Sequence, residues 1–404
     1  MQLGNKKTTK NARGAGTIRK RADGCWEGRY SVGFDPKTGK QIQKSVYGAT
    51  QKEARQKLTQ IIGEIDDGEY LEPSKLKLGD WLDIWLNEYC EDKKYSTVKG
   101  YRAKVKKHIK PQLGDIPLGK LTTPEVQKFY NRLLKPPDGS LGSSPKTIKN
   151  THGVLSKAMS VAVVNGYIRR NPCQGVILPR MEKHEVEPLT DDQVALLLQL
   201  GEKDEEYGIL LKVILLIGLR KAEALGITWD CVDFRRGVIR INKQLQKRPL
   251  RDGGVMFTSL KNGKGRVLKP APYVMELMKK RYEQQSRQKE EASFAWVGWH
   301  TEAEHRTALA FTTIFGTPLQ PQTTYNHFKK LAVEIGAPNA RVHDLRHTYA
   351  VLSLQIGDDV KTVQGNLGHA TAAFTLDVYG HVSEAMKEAS FSRMEQYVRS
   401  LTGE

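Results

Sequence analysis

Residues 209–219, "ILLKVILLIGL", carry apolar side chains on every helical face, with Lys212 as the one charge. A helix that is hydrophobic all round must be wrapped by other elements. The run is well short of the ~20 residues that span a bilayer, so it is expected to be a buried core helix rather than a membrane segment. A chain of 404 residues has room for two or three domains. One of them has to be built around this run.

The flanking sequence divides by pattern. After a loose basic head, "GTIRKR", "WEGRYSVGF" and "QIQKSVYG" alternate as three strands, with "DPKTGK" as a turn. A helix follows with Ala54, Leu58, Ile61, Ile62 and Ile65 on one face. This makes a small domain over residues 1–65, whose polar strand face is expected to show Arg19, Arg21, Arg29 and Lys44. Residues 66–77 contain Gly68 and Pro73 and read as a linker. Residues 78–180 read as all-helical, with Leu78, Trp81, Leu82, Trp85, Leu86 and Tyr89 on one face. Here Lys99, Arg102, Lys106 and Lys110 form a basic stripe, Thr123 is the expected N-cap ahead of Pro124, and Asn165-Gly166 is a helix stop. The third domain, 187–404, opens on a capping box, "TDDQ" at 190–193. It continues through strands in "GVIRINKQL" and "VMFTSLKNGKGRVLKP", where Asn262-Gly263 signals a hairpin. The stretch 290–320 has no clear pattern. The expected fold is therefore multidomain, mainly α with small β-sheets.

Charge narrows the partner. Sixty-four basic residues against 45 acidic give +19, and residues 1–57 hold 14 Lys and Arg against 4 Asp and Glu. Such an excess suits a polyanion. A small basic sheet can dock in a DNA groove, and a lysine stripe can follow a phosphate backbone. The same residues would otherwise be solvated surface. Four cysteines, at 25, 90, 173 and 231, form no CxxC pair, which argues against a disulfide framework or structural zinc. With a polar N-terminus lacking an apolar signal core, the expected location is the cytoplasm.

Four of the ten histidines, at 343, 347, 369 and 381, fall in one short segment. His343 and His347 have the i, i+4 spacing of a zinc helix, but Arg346 between them opposes a dication. Handling of a phosphodiester fits better. It needs permanent cations that can donate two hydrogen bonds, and Arg346 and Arg220 are the candidates. Glu223, at i+3, would orient Arg220. A nucleophile is also needed, and Tyr379 is a candidate, with His369 ahead of it and His381 behind. A proton for the departing 5′ oxygen could come from Lys261 or its neighbour Lys264. Tyr349 is a rival nucleophile that reads as packing.

The pieces "GLRKAE", "LKNGKGR", "HDLRH", "LGH" and "TLDVYGH" occur in that order. They resemble the catalytic domain of the tyrosine recombinases, the phage-integrase family, and the likeness extends over the whole chain. It implies that Arg220 and Arg346 clamp the phosphate, Lys261 is the general acid, His343 assists proton transfer, His369 bonds the scissile phosphate and Tyr379 attacks. It further implies an arm-type DNA-binding domain at 1–65, a helical core-binding (SAM-like) domain at 78–180, and a mixed α+β catalytic domain at 187–404 ending in an exchange helix.

The implied reaction cuts and rejoins double-stranded DNA at core and arm sites through a 3′-phosphotyrosyl link, integrating and excising a mobile element. It uses no cofactor and no metal. Exchange of four strands implies a homo-tetramer on DNA, with an excisionase and a host DNA-bending protein as further partners and a bacterial, nucleoid-associated location. A type IB topoisomerase-like enzyme and a non-catalytic DNA-binding regulator of the same fold are the alternatives.

Overall fold

The computed structural model describes residues 16–34, 38–66, 75–181, 187–248, 254–260, 263–368 and 384–402. The chain falls into two compact units, residues 1–182 and 183–404. Both are mainly helical with small antiparallel sheets. Among the described residues, no helix is long and apolar enough to cross a membrane.

The first unit begins with strands β1 (Thr17–Lys20), β2 (Trp26–Phe34) and β3 (Gln41–Gly48), an antiparallel sheet in that order. Helix α1 (Gln51–Asp66) covers one face. A Cβ added to Gly28 would meet Val46 and Leu58, so Gly28 and its cross-strand partner Val46 face the helix. Lys44 lies opposite buried Tyr30, two residues along. Cross-strand partners share a face and alternate residues keep it, so Lys44 is on the helix side. It does not join Arg19 and Arg29 on the outer face as the alternation had suggested. The outer face also carries Tyr47, over whose ring Arg21 sits at 5.4 Å.

The helical remainder of this unit packs around Trp81, which is fully buried and donates from Nε1 to the Ala158 carbonyl at 3.1 Å. Its longer helices are α2 (Leu78–Glu88), α3 (Tyr95–Lys104), α4 (Thr123–Leu134) and α5 (Pro145–Val164). Helix α3 continues through a π turn, Val105–Ile109. Lys99, Arg102 and Lys106 are exposed along this run, while Lys110 is tied to Asp83 at 2.5 Å. The N-cap of α4 is Thr122, not Thr123 as expected. Glu125 at N3 reaches back to the Thr122 amide at 2.7 Å, which fixes the cap one residue earlier and leaves Pro124 in the first turn. Asn165 and left-handed Gly166 end α5 as anticipated.

The second unit contains α6 (Asp191–Lys203), with its Thr190/Gln193 capping box, and α7 (Gly208–Ile217). Helix α7 is buried on almost every side, and Lys212 within it is neutralised by Glu202. A short helix α8 (Lys221–Ala224) precedes strands β4 (Val232–Asp233), β5 (Val238–Ile241), β6 (Lys243–Lys247), β7 (Val255–Ser259) and β8 (Arg266–Leu268). The strands flanking Asn262-Gly263 do not pair with each other. β7 pairs with β6, and β8 pairs with β5. β5 and β6 are separated only by Asn242, so they act as one long strand. On either side of residues 261–262, which lie outside the described residues, the Gly263 amide donates to the Leu260 carbonyl at 3.1 Å. The expected hairpin is therefore not formed: Asn262 lies outside the described residues, and the flanking strands take their register from β6 and β5.

Helix α9 (Pro272–Ala292) runs into the stretch without a clear sequence pattern. There His305, on α10 (Glu302–Thr307), is stacked between Tyr282 at 4.3 Å and Trp299 at 3.7 Å. The unit continues with α11 (Pro321–Glu334), α12 (Val342–Gln355), α13 (Val360–Leu367) and α14 (Glu384–Thr402). On α14, Phe391, Met394, Tyr397, Val398 and Leu401 are exposed.

Candidate functional site: an arginine cluster at two helix ends

Helix α7 stops at Gly218, which takes the left-handed φ of +64°. That reversal leads the chain through buried Leu219 to Arg220, the N-cap of a new helical turn. Glu223 caps this turn by accepting from the Arg220 amide at 3.1 Å, and its other oxygen accepts from Arg220 Nη1 at 2.6 Å. The pairing expected from i, i+3 spacing is present, and Glu223 also serves as the cap.

Arg346 comes from α12 and is 2% exposed. It donates from Nη1 to the Gly218 carbonyl at 2.7 Å and from Nη2 to the Leu367 carbonyl at 2.6 Å. Its Nη1 lies 4.0 Å from Glu223 Oε2. Both acceptors are carbonyls at helix C-termini, where the backbone leaves acceptors unfilled and the dipole is negative.

Helix α13 ends at Gly368, with φ +65°. Three successive carbonyls at this end each accept from a different arginine. Asn366 accepts from Arg266 Nε at 2.7 Å, Leu367 from Arg346, and Gly368 from Arg220 Nη2 at 3.3 Å. Arg266 also meets Glu223, at 2.8 Å from Nη2 to Oε2 and 3.3 Å from Nη1 to Oε1. Burial alone would raise the Glu223 pKa, but Arg266 and Arg220 overcome it and hold the carboxyl below its usual range. Three guanidiniums around one carboxylate leave two net positive charges, which suits a doubly bonded phosphate anion. Reading the sequence missed Arg266, because its partners lie 43 and 100 residues away.

His343 stands one turn before Arg346 on α12, and its ring meets His347 edge-on at 4.8 Å. The residue is open to solvent, yet protein crowds the ring on its other sides. That loss of water, with His347, Arg346 and Arg220 nearby, lowers its pKa to about 4. It is neutral near pH 7 and can accept a proton. His347 is buried and shifted in the same direction, first by burial. Tyr349 is partly buried beside Leu367, and its hydroxyl accepts from Asn366 Nδ2 at 3.1 Å. Lys264 is exposed, just ahead of β8. Lys261, His369, His381 and Tyr379 lie outside the described residues.

The family model described as "Phage integrase family" matches residues 187–386, and "Phage integrase, N-terminal SAM-like domain" matches residues 77–134. The chain belongs to the phage-integrase family of tyrosine recombinases. Tyrosine recombinases similar to it include a XerC-like protein of Caldanaerobacter subterraneus subsp. tengcongensis, 27% identical over 88% of this chain and 92% of that protein. The ICEBs1 integrase of Bacillus subtilis strain 168 is 24% identical over 91% of this chain and 95% of that one. Among solved structures, the Tn1549 transposon integrase in complex with transposon right end DNA shares the fold, with a TM-score of 0.64 and 20% identity over 79% of this chain and 99% of that one. A lambda integrase dimer bound to a COC′ core site gives 0.52 and 20%, over 90% and 95%. These likenesses establish a recombinase fold, mainly helical with small antiparallel sheets.

Proposed function

We propose that this tyrosine recombinase integrates and excises a mobile element by cutting and rejoining duplex DNA. The observation that carries the reading is the cluster of Arg220, Arg266 and Arg346 around Glu223, with neutral His343 one turn away.

In the proposed reaction, Arg220 and Arg346 hold the scissile phosphate and neutralise the charge that builds on it. Tyr379 attacks phosphorus through its phenol oxygen as the bond to the 5′ oxygen breaks. The phenol proton passes to a neighbouring base, for which His343, unprotonated near pH 7 and one turn from Arg346, is the candidate. Lys261 supplies the proton that leaves with the 5′ hydroxyl, with Lys264 as local rival, and His369 hydrogen-bonds the phosphate. A 5′ hydroxyl of the partner duplex then attacks the phosphotyrosyl link and restores Tyr379. One ester replaces another, so no external energy source is required, and covalent catalysis divides the step in two.

Around this centre, residues 1–65 are proposed as the arm-type domain with Arg19, Arg21 and Arg29 toward DNA. Residues 66–77 would serve as a linker, 78–180 would bind the core site through Lys99, Arg102 and Lys106, and 187–404 would hold the chemistry. The exposed apolar side chains of α14 fit packing against a neighbouring protomer within a tetramer on DNA. An excisionase and a DNA-bending protein of the host complete the proposed assembly, which acts at the bacterial nucleoid.

The deciding experiment uses labelled duplexes from the element's end junctions, nicked beside the cleavage position. Wild type is expected to trap a covalent complex and Tyr379→Phe none. Trapping by the Phe variant would identify another nucleophile. Supercoil relaxation without strand exchange would indicate a topoisomerase-like activity, and binding without trapping a regulator.

A further inference from the structure

We infer that Arg266 is a positioning residue that keeps Arg220 available to the DNA phosphate by occupying the Glu223 carboxylate. The inference rests on the recombinase reading above.

Consider how the two carboxylate oxygens are shared. Oε1 accepts from Arg220 Nη1 at 2.6 Å and from Arg266 Nη1 at 3.3 Å. Oε2 accepts from the Arg220 amide at 3.1 Å and from Arg266 Nη2 at 2.8 Å. Arg220 therefore reaches the carboxylate with one guanidinium nitrogen only. Its other terminal nitrogen makes a longer contact, 3.3 Å, to the Gly368 carbonyl. Guanidinium and carboxylate close into a bidentate fork when nothing competes. Arg266 is the competitor, because its own fork lies on Glu223 while its Nε holds the Asn366 carbonyl at 2.7 Å. Without Arg266, both Glu223 oxygens would turn to Arg220, and its guanidinium would be withdrawn from substrate.

Charge gives the same result. Arg220, Arg266 and Arg346 against Glu223 leave two net positive charges at the site. Losing Arg266 leaves one. Losing the Glu223 charge as well returns the site to two. If Arg266 were purely architectural at the α13 end, removing the Glu223 charge would not restore the cleavage rate.

The test is single-turnover cleavage of the nicked duplex by full-length protein at saturating concentration. Arg266→Met is expected to slow cleavage about tenfold, the equivalent of one charge-assisted hydrogen bond lost from the clamp. Arg266→Lys, which keeps a cation beside Glu223, should stay within about threefold of wild type by the same scale. Adding Glu223→Gln to Arg266→Met should raise the rate above that of Arg266→Met alone. If Arg266→Met does not fold, as read by thermal unfolding, Arg266→Lys still reports, and Glu223→Gln is combined with Arg266→Gln in its place, read against Arg266→Gln alone. A double variant no faster than Arg266→Met, or Arg266→Lys slowed tenfold or inactive, overturns the inference. Absence of any covalent complex with wild type, by contrast, strikes the recombinase reading itself.

Discussion

Arg346 donates to the Gly218 carbonyl at 2.7 Å, so the arginine of α12 grips the helix end from which Arg220 departs. The two arginines are thus not placed independently. Gly218 reverses the chain, exposes a carbonyl for Arg346 and delivers Arg220 two residues later. The end of α13 repeats the device with Asn366, Leu367 and Gly368. Two helix termini, negative by their dipoles, fix cations that would otherwise repel one another.

Arg346→Lys should abolish most activity. An ammonium cannot span the Gly218 and Leu367 carbonyls from one fixed plane, and at 2% exposure water does not replace the lost bond. A carbonyl left without its donor costs about 1–3 kcal/mol, and cleavage is expected to fall by about 100-fold, as for other preorganised donors. Single-turnover rates and urea unfolding measure both; a rate equal to wild type would remove Arg346 from the clamp.

Gly218→Ala tests the helix end. A Cβ there would lie 2.4 Å from Tyr349 Cδ1 and 2.7 Å from Leu367 Cδ2, at φ +64°. Left-handed strain of about 1–2 kcal/mol adds to about 1–3 kcal/mol of overpacking. Gly237→Ala is the control, since its φ is +63° with nothing within 4 Å of the added atom. Gly218→Ala should lower Tm clearly more than Gly237→Ala, and equal shifts would show that the site yields freely.

Local signals in the sequence were read well and distant ones were not. The Arg220–Glu223 pair, the Thr190 capping box and the buried α7 each depend on residues within a few positions. Thr122 displaced Thr123 because adjacent threonines offer the same cap, and Glu125 chooses between them. The β7 and β8 pairings depend on a long strand elsewhere. Arg266 reads as one more cation in "LKNGKGR"; only the fold brings Glu223 and Asn366 to it. Lys44 lies on the helix side rather than the outer face because alternation gives the period of a strand and not which side the helix covers.

His343 sets a pH dependence. An ordinary histidine titrates near ~6.5, and His343 in the folded protein near about 4. Between these values the unfolded chain binds a proton that the folded one does not, so stability falls as pH drops from about 6.5 through about 4, then levels off. His343→Gln should flatten this limb in urea unfolding. Because His347 shifts in the same direction, some slope should persist. An unchanged slope would show that His343 titrates normally.

Cleavage should survive EDTA. The arginine cluster already carries two net positive charges where a divalent ion would otherwise neutralise the phosphate. Trapping of the covalent complex after extensive chelation measures this directly, and restoration only by added Mg²⁺ would oppose it.

The sheet of the first unit offers a separate test. Glu27 accepts from Ser45 Oγ at 2.7 Å, Arg19 Nε at 2.6 Å and Arg29 Nε at 3.3 Å, which lowers its pKa to about 2. It stays ionised at any working pH and cancels one charge on the outer face proposed to meet DNA. Glu27→Gln keeps the shape and removes that charge. Binding of arm-site duplex should tighten at low salt. The plot of log affinity against log salt should steepen by about one unit, the release of roughly one further counterion. The opposing effect is loss of order in Arg19 and Arg29, which would weaken binding at every salt concentration. Fluorescence anisotropy across a salt series separates the two. An unchanged slope would mean that this face does not lie against the phosphate backbone.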